Sequence, residues 1–349
     1  GQWLPAGSPL GQVLGGEFGL LTMTVTYLVG LLLPLVIGFY LFLSFLEDTG
    51  YLPRVATLVD RAMNAIGLNG RAVIPIILGF GCVTVATITT RLLGSEREKR
   101  IAIFLLGLAI PCSAQLGVIT GLLARVGPGY VVLYGLVIFA VLVITGSLMK
   151  AVIPGRTTDL LIDLPALRLP RPGNVLKKTL VKSWGFLVEA APLFALGSLL
   201  ISIFQITGIL VWLQDALEPL TVHWLGLPGK AAAAFIMGVV RRDFGAAGLS
   251  SLAMTPWQTV IALITITLFV PCIASVMIMF KERSKKEAAL MWISTWFIAF
   301  LVGGITHQVT RLFGGNIVWT AFAFIGGVLG MVLVGKVATP PRVAVKTRL

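Results

Sequence analysis

Three cysteines stand inside apolar stretches of membrane-spanning length, each beside a residue that loosens a helix. They read Gly79-Phe80-Gly81-Cys82, Pro111-Cys112-Ser113-Ala114 and Pro271-Cys272-Ile273-Ala274. Proline withholds a backbone donor and glycine a side chain, so free carbonyls are expected at these points. A soft thiol beside unsatisfied carbonyls at membrane depth is a way-station for a metal ion. Ser113 and Gln115 add oxygen donors next to Cys112. Such a mixed set suits Fe²⁺, Zn²⁺ or Mn²⁺ better than Mg²⁺ or Ca²⁺, without choosing among the first three. Taken singly, each cysteine reads more naturally as a small hydrophobe in a helix bundle. Three in similar settings favour the ligand reading. The absence of C-x-x-C spacing argues against a disulfide framework or a structural zinc site.

Charged residues offer further candidates for a pathway. Glu47 and Asp48 close the first apolar segment, where adjacent carboxylates attract a cation, and a solvated helix end explains them equally well. Glu189 stands early in an apolar segment, three residues before Pro192, placed to cap a pathway or take a proton. Arg241, Arg242 and Asp243 interrupt another apolar stretch, which is costly at membrane depth unless the charges are paired or wet. A structural pair between Asp243 and an arginine is the plainer account. His223 and His307 fall in expected outer loops and are left out of the site. No G-x-x-x-x-G-K-[ST] sequence occurs, so this chain shows no nucleotide-hydrolysis machinery.

The elements that must position these residues are membrane helices. Of 349 residues, 57% are hydrophobic and only 12% charged, about half the charged fraction of a soluble domain. Apolar segments of about 20 residues recur, at 19–46, 72–90, 101–124, 128–149, 184–209, 228–252, 257–280, 287–306 and 316–335. The fold class expected is an all-α polytopic membrane protein with about seven full spans. Segments 72–90 and 228–252 make two further re-entrant or broken-helix hairpins, which are tolerated where they are buried in protein or line a cavity. The net charge of +13 sits in short loops, the positive-inside pattern with attraction to anionic lipid, rather than a nucleic-acid surface. This places 91–100, 150–182 and 281–286 in the cytoplasm, with the first residue of the chain outside and the C-terminus inside.

Two motifs recur at almost one spacing. Ile66-Gly67-Leu68-Asn69-Gly70 matches Leu225-Gly226-Leu227-Pro228-Gly229 at an offset of 159, and Pro111-Cys112 matches Pro271-Cys272 at 160. The basic loops run the helix at 101–124 outward and that at 257–280 inward, so the repeats are expected to be inverted, a transporter signature. The organisation expected is an extracytoplasmic segment 1–18, a first repeat 19–149, a cytoplasmic linker 150–183, a second repeat 184–286, and a C-terminal helix pair with a basic tail, 287–349. Under the first offset Cys82 pairs with Arg241, so the symmetry breaks there.

The series Leu46-Glu47-Asp48-Thr49-Gly50-Tyr51-Leu52, Asp60-Arg61, Gly67-Leu68, Ile74-Pro75, Leu78-Gly79-Phe80-Gly81-Cys82, Thr90-Arg91 and Ser95-Glu96-Arg97 resembles the first Gate motif of the FeoB ferrous-iron transporter family. The two Pro-Cys motifs resemble that family's later cysteine motifs, and Trp3-Leu4-Pro5 its first external segment. Two departures stand out: Val83-Thr84-Val85-Ala86 replaces Asn-Val-Pro-Ala after the first cysteine, and Ala114-Gln115 replaces Ala-Arg. The resemblance implies a permease, not an enzyme, carrying Fe²⁺ across a bacterial inner membrane, with Cys82, Cys112 and Cys272 as candidate pathway ligands; Gly79 and Gly81, which permit the break before Cys82, join the pathway or gating candidates. It implies no permanently bound cofactor. The partners it admits are a GTPase domain ahead of this region, small cytoplasmic accessory proteins, further copies of the chain and the lipid bilayer, without nucleic acid. A Gate-type carrier of nucleosides or another organic solute, using Thr84, Thr87, Gln115 and Asp243, is the first alternative. A non-transporting membrane scaffold is the second.

Overall fold

The computed structural model describes residues 26, 28–30, 32–155, 169–269, 272–317 and 319–327. The expected segment 1–18, Pro271, the linker positions Arg156 and Arg168, and the basic tail lie outside the described residues. Among the described residues there are no strands, and six helices are long and apolar enough to cross a membrane: Leu28–Asp48, Glu96–Val126, Pro128–Val152, Pro172–Ile206, Pro256–Glu282 and Lys285–Leu312. This is the architecture of a multi-pass membrane protein. Of the seventh expected span, 316–335, residues 319–327 are helical and 328–335 lie outside the described residues.

From Leu33 the described chain forms α1 (Leu33–Asp48), then α2 (Tyr51–Ala65), whose axis turns by 105° into the segment that follows. The expected hairpin is α3 (Val73–Gly81) and α4 (Val83–Thr89), packed together and separated only by Cys82. Next come α5 (Glu96–Ala109), α6 (Ser113–Val126) and α7 (Pro128–Val152). The stretch taken as linker is shorter than expected, because α8 already starts at Pro172 and runs to Ile206; proline at the first helical position has no N–H to lose. The expected outer loop is also largely helical, forming α9 (Ile209–Pro219) and a π-turn at Leu220–Trp224. The second hairpin is α10 (Ala231–Val240) and α11 (Arg242–Ser250), followed by α12 (Pro256–Phe269), α13 (Ile273–Glu282) and α14 (Lys285–Leu312). His307 lies within α14 rather than in a loop, its ring Nδ1 3.1 Å from the Trp224 carbonyl.

Backbone geometry repeats at the spacing read from the motifs. Cys82 breaks the first hairpin at φ −149°, ψ 116°, and Arg241 breaks the second at φ −148°, ψ 127°. Gly67 and Gly226 both take positive φ, 86° and 67°, which only glycine adopts without strain. In each hairpin the carbonyl at the break accepts the next helix's N–H, Ala86 to Cys82 at 3.0 Å and Gly245 to Arg241 at 3.2 Å. The packing is exchanged between the halves as well: α4 lies on α13, and α11 lies on α6.

Close approach explains two glycines. A Cβ on Gly79 would lie 2.6 Å from Leu106 Cδ2, so this position brings α3 against α5. A Cβ on Gly245 would lie 2.6 Å from the Gly238 Cα and 2.8 Å from the Ala234 carbonyl, both backbone atoms that cannot swing away. Gly245→Ala is therefore expected to destabilise the protein by roughly 1–3 kcal/mol. Gly121→Ala, with nothing within 4 Å, is expected to be neutral or stabilising by up to about 1 kcal/mol through helix propensity. Thermal unfolding of the detergent-solubilised variants checks the contrast; equal midpoints refute it.

Candidate functional site

Four chain breaks converge on one cavity of about 90 Å³. Each second half-helix starts there, and the residues at the four N-caps are Cys82 (α4), Cys112 (α6), Arg241 (α11) and Cys272 (α13). The three thiols expected in a pathway thus line the same space, together with Thr84, Ser113, Asp243 and Ser275. Leu32 just before α1, Leu35 within it, and Phe186, Phe194 and Ile201 from α8 close it with an apolar wall. The positive ends of four helix dipoles face the cavity, a field that favours negatively charged ligand atoms.

Several of the carbonyls expected to be free accept hydrogen bonds instead. Pro111 forces the residue before it into extended geometry, and Ile110 sits at φ −101°, ψ 109°. The missing proline N–H releases the Gly107 carbonyl, but the Arg242 guanidinium donates to it and, at 3.0 Å, to the Ile110 carbonyl. The Gly81 carbonyl accepts from the Ser113 hydroxyl at 3.1 Å. The carbonyls of Cys112 and Cys272 accept the N–H groups of Leu116 and Val276 at 2.8 and 3.0 Å. The correction has a plain cause: an unpaired buried carbonyl is costly, and a second polypeptide segment is close enough to supply the donor.

Other expected site residues fall in three places. Ser113 and Gly81 line the cavity, and Gly79 packs behind it. Gln115 is fully buried but outside the lining, with Nε2 3.5 Å from Thr267 Oγ1 and Oε1 without a hydrogen-bond partner. Asp243 lines the cavity in a two-point pair with Arg241, at 2.6 and 3.1 Å, as the plainer account held. Glu47, Asp48 and Glu189 stand away from it, and their charge is already engaged. Glu47 pairs with Lys182 at 2.9 Å and Lys178 at 3.3 Å, and Asp48 accepts the Arg171 N–H at 2.8 Å. Glu189 pairs with Arg91 at 2.6 Å and Lys281 at 2.8 Å, and Arg91 also pairs with Glu282. That cluster ties the turn after α4 to Glu189 in α8 and to the C-terminal end of α13; the N-terminal ends of α4 and α13 line the cavity.

Sequence reasoning missed Ser275. Its hydroxyl is 3.3 Å from Cys272 Sγ and 3.1 Å from Thr84 Oγ1, bridging α13 to α4. The repeat carried a signal for it, since Ser275 stands 160 residues after Gln115. Nothing in the sequence marks Phe186 or Phe194. Among the described residues, no three His, Cys, Asp or Glu side chains are grouped to hold an ion. The thiols share a cavity but do not form a ready cage.

The family model described as "Nucleoside recognition", Gate, matches residues 29–126 and 187–286. The model described as "Ferrous iron transport protein B C terminus" matches residues 131–182. The Fe(2+) transporter FeoB of Staphylococcus aureus (strain MSSA476) is 27% identical over 311 residues, 80% of this chain and 47% of that protein. The Fe(2+) transporter FeoB of Methanocaldococcus jannaschii is 26% identical over 316 residues, with the same two coverages of 80% and 47%. That of Legionella pneumophila (strain Lens) is 33% identical over 190 residues, 53% of this chain and 24% of that protein. The chain spans about half the length of the first two relatives. No solved structure matches it.

Replacing Arg242 by Met removes the donors for two buried carbonyls. The expected cost is about 1–3 kcal/mol for each orphaned acceptor, with Arg242→Lys recovering part of it. A thermal unfolding midpoint unchanged in Arg242→Met would show that the guanidinium does not hold the α5–α6 break.

Proposed function

This chain belongs to the Gate family, and on that premise we propose that it carries Fe²⁺ across a bacterial inner membrane through the cavity lined by Cys82, Cys112 and Cys272. The observation that carries this reading is the meeting of three thiols, from three separate chain breaks, in one space. Thiols and hydroxyls suit a borderline dication better than a hard one. A set of ligands that share a cavity without forming a cage fits a cargo that must leave again. The names of the relatives point to the same cargo.

Cavity size weighs against the organic-solute reading. About 90 Å³ is well below the roughly 300–1,000 Å³ of a pocket that encloses an organic ligand. It accommodates an ion with a few waters, each needing about 10–15 Å³ on this measure.

In this reading the two repeats are inverted about the cavity, and the chain works by alternating access. Arg91, Glu189, Lys281 and Glu282 form the closure on the cytoplasmic side. Their pairs are partly exposed, with Arg91 at 48% and Lys281 at 47%, so each contributes about 0–1 kcal/mol. Contacts of that strength are broken and remade cheaply during a cycle. Any GTP hydrolysis that drives the cycle belongs to a domain of the whole protein other than this region.

Anaerobic uptake of radiolabelled Fe²⁺ into proteoliposomes containing the full-length protein tests the cargo. Cys82→Ser, Cys112→Ser and Cys272→Ser are each expected to slow uptake about tenfold or more, the scale of losing a metal-site contact. Uptake at the wild-type rate by the triple serine variant, or uridine uptake that survives it, would overturn the reading. For the closure, Arg91→Ala is expected to raise labelling of Cys82 by a membrane-impermeant thiol reagent applied from the cytoplasmic side. Unchanged labelling would remove that role.

A further inference from the structure

We infer that the Arg241 guanidinium is a built-in occupant of the cation subsite, holding the Asp243 carboxylate until an incoming dication displaces it. This deepens, and rests on, the transport reading above. Asp243 is the only carboxylate among the described residues that line the cavity. Both of its oxygens face Arg241, Oδ1 3.1 Å from Nε and Oδ2 2.6 Å from a terminal nitrogen. The pair is largely shielded, with side-chain exposures of 15% and 19%, so its charges act on each other and on the cavity with little screening. Arg241 also lies over the Phe244 ring, 4.5 Å from its centroid. That ring gives the cation a second resting place on the side of Asp243.

The position of the pair says why it is more than a structural bridge. Arg241 occupies the break that Cys82 occupies in the other hairpin, with nearly the same backbone angles. The break position that presents a thiol in one repeat presents a positive charge in the other. A guanidinium there repels a dication while it engages Asp243. If it swings aside, the carboxylate is left as a hard oxygen ligand that complements the soft thiols. The exchange is a competition between two cations for one carboxylate, with no bond made or broken in the protein. It requires that Asp243 be neutralised by Arg241 in the empty cavity and by the cargo in the loaded one, while Arg242, which also lines the cavity, stays on the Gly107 and Ile110 carbonyls.

Competition of this kind has a direction that a structural salt bridge lacks: removing the arginine tightens cation binding. The test is Co²⁺ titration of the full-length protein in detergent, followed by the sulfur-to-cobalt charge-transfer absorption. Arg241→Gln is expected to lower the Co²⁺ dissociation constant about tenfold, within the usual range of coupling between two ligands of one site. Asp243→Asn is expected to raise it by a similar factor. Should Arg241→Gln not fold, Arg241→Lys decides, since an ammonium cannot hold both oxygens and smaller tightening is expected. Unchanged or weaker Co²⁺ binding in the folded arginine variants, or wild-type binding in Asp243→Asn, overturns the inference. Failure of the underlying reading looks different: the wild-type protein would then show no charge-transfer band that depends on the cysteines.

Discussion

Inside a bilayer each backbone carbonyl must find its donor within the protein, and four interrupted helices meeting at one level make that the governing constraint here. Pro111 opens α5, and the carbonyls it exposes would be orphaned at membrane depth. Arg242, reaching across from α11, donates to Gly107 and Ile110. One long, always-charged side chain with several fixed donors suits that task. The tip of the second hairpin is thereby fastened to the break in the first repeat's central helix, and Cys112 is presented from a settled N-cap. The thiols are exposed to the cavity because the backbone around them has already been satisfied elsewhere.

The two hairpins share a backbone plan but not its chemistry. At matched positions Cys82, Val83 and Thr84 stand where the other repeat has Arg241, Arg242 and Asp243. The exchanged contacts differ in strength as a result. α11 is joined to the first repeat's central helix by a guanidinium on carbonyls, a charge-assisted bond worth about 1.5–3 kcal/mol net. α4 meets α13 through the Thr84–Ser275 hydroxyl contact at 3.1 Å, worth about 0.5–1.5 kcal/mol. The softer contact lies beside Cys82 and Cys272, and it is the side on which rearrangement costs less.

Much of the fold was legible because membrane helices write themselves in composition. The apolar runs, both hairpins and the repeat spacing all came from residue type and position, and the break at Cys82 followed from the flanking glycines. What failed did so for identifiable reasons. The helical start of α8 was hidden by prolines at 170 and 172, which suit a helix N-terminus as well as a linker. The helix at α9 was hidden by its polar residues, Asp215 and Glu218. At the site, residue type identified the thiols, but no local signal tells which carbonyls a distant arginine will cover. Glu47, Asp48 and Glu189 were ambiguous for a related reason. A carboxylate near a membrane surface looks the same in sequence whether it meets an ion or a lysine. Their partners, Lys178, Lys182, Arg171, Arg91 and Lys281, come from far along the chain.

Charge is therefore sorted by depth. Away from the cavity, acids and bases are paired in partly exposed clusters that salt and water weaken. Among the described residues that line the cavity there is one carboxylate, Asp243, paired with Arg241, while the second guanidinium, Arg242, is spent on backbone carbonyls; thiols and hydroxyls make up the other polar groups. A site that held a dication as firmly as a structural zinc site would trap it, whereas thiols spread over three half-helices need the helices to move before they can converge. In the transport reading proposed above, grouping happens only when the four half-helices are brought together, so binding and conformational change become one event. The same separation lets the site open again. In that reading each ligand leaves with the helix that carries it, and Arg241, paired with Asp243 in the structure, is placed to take the carboxylate back.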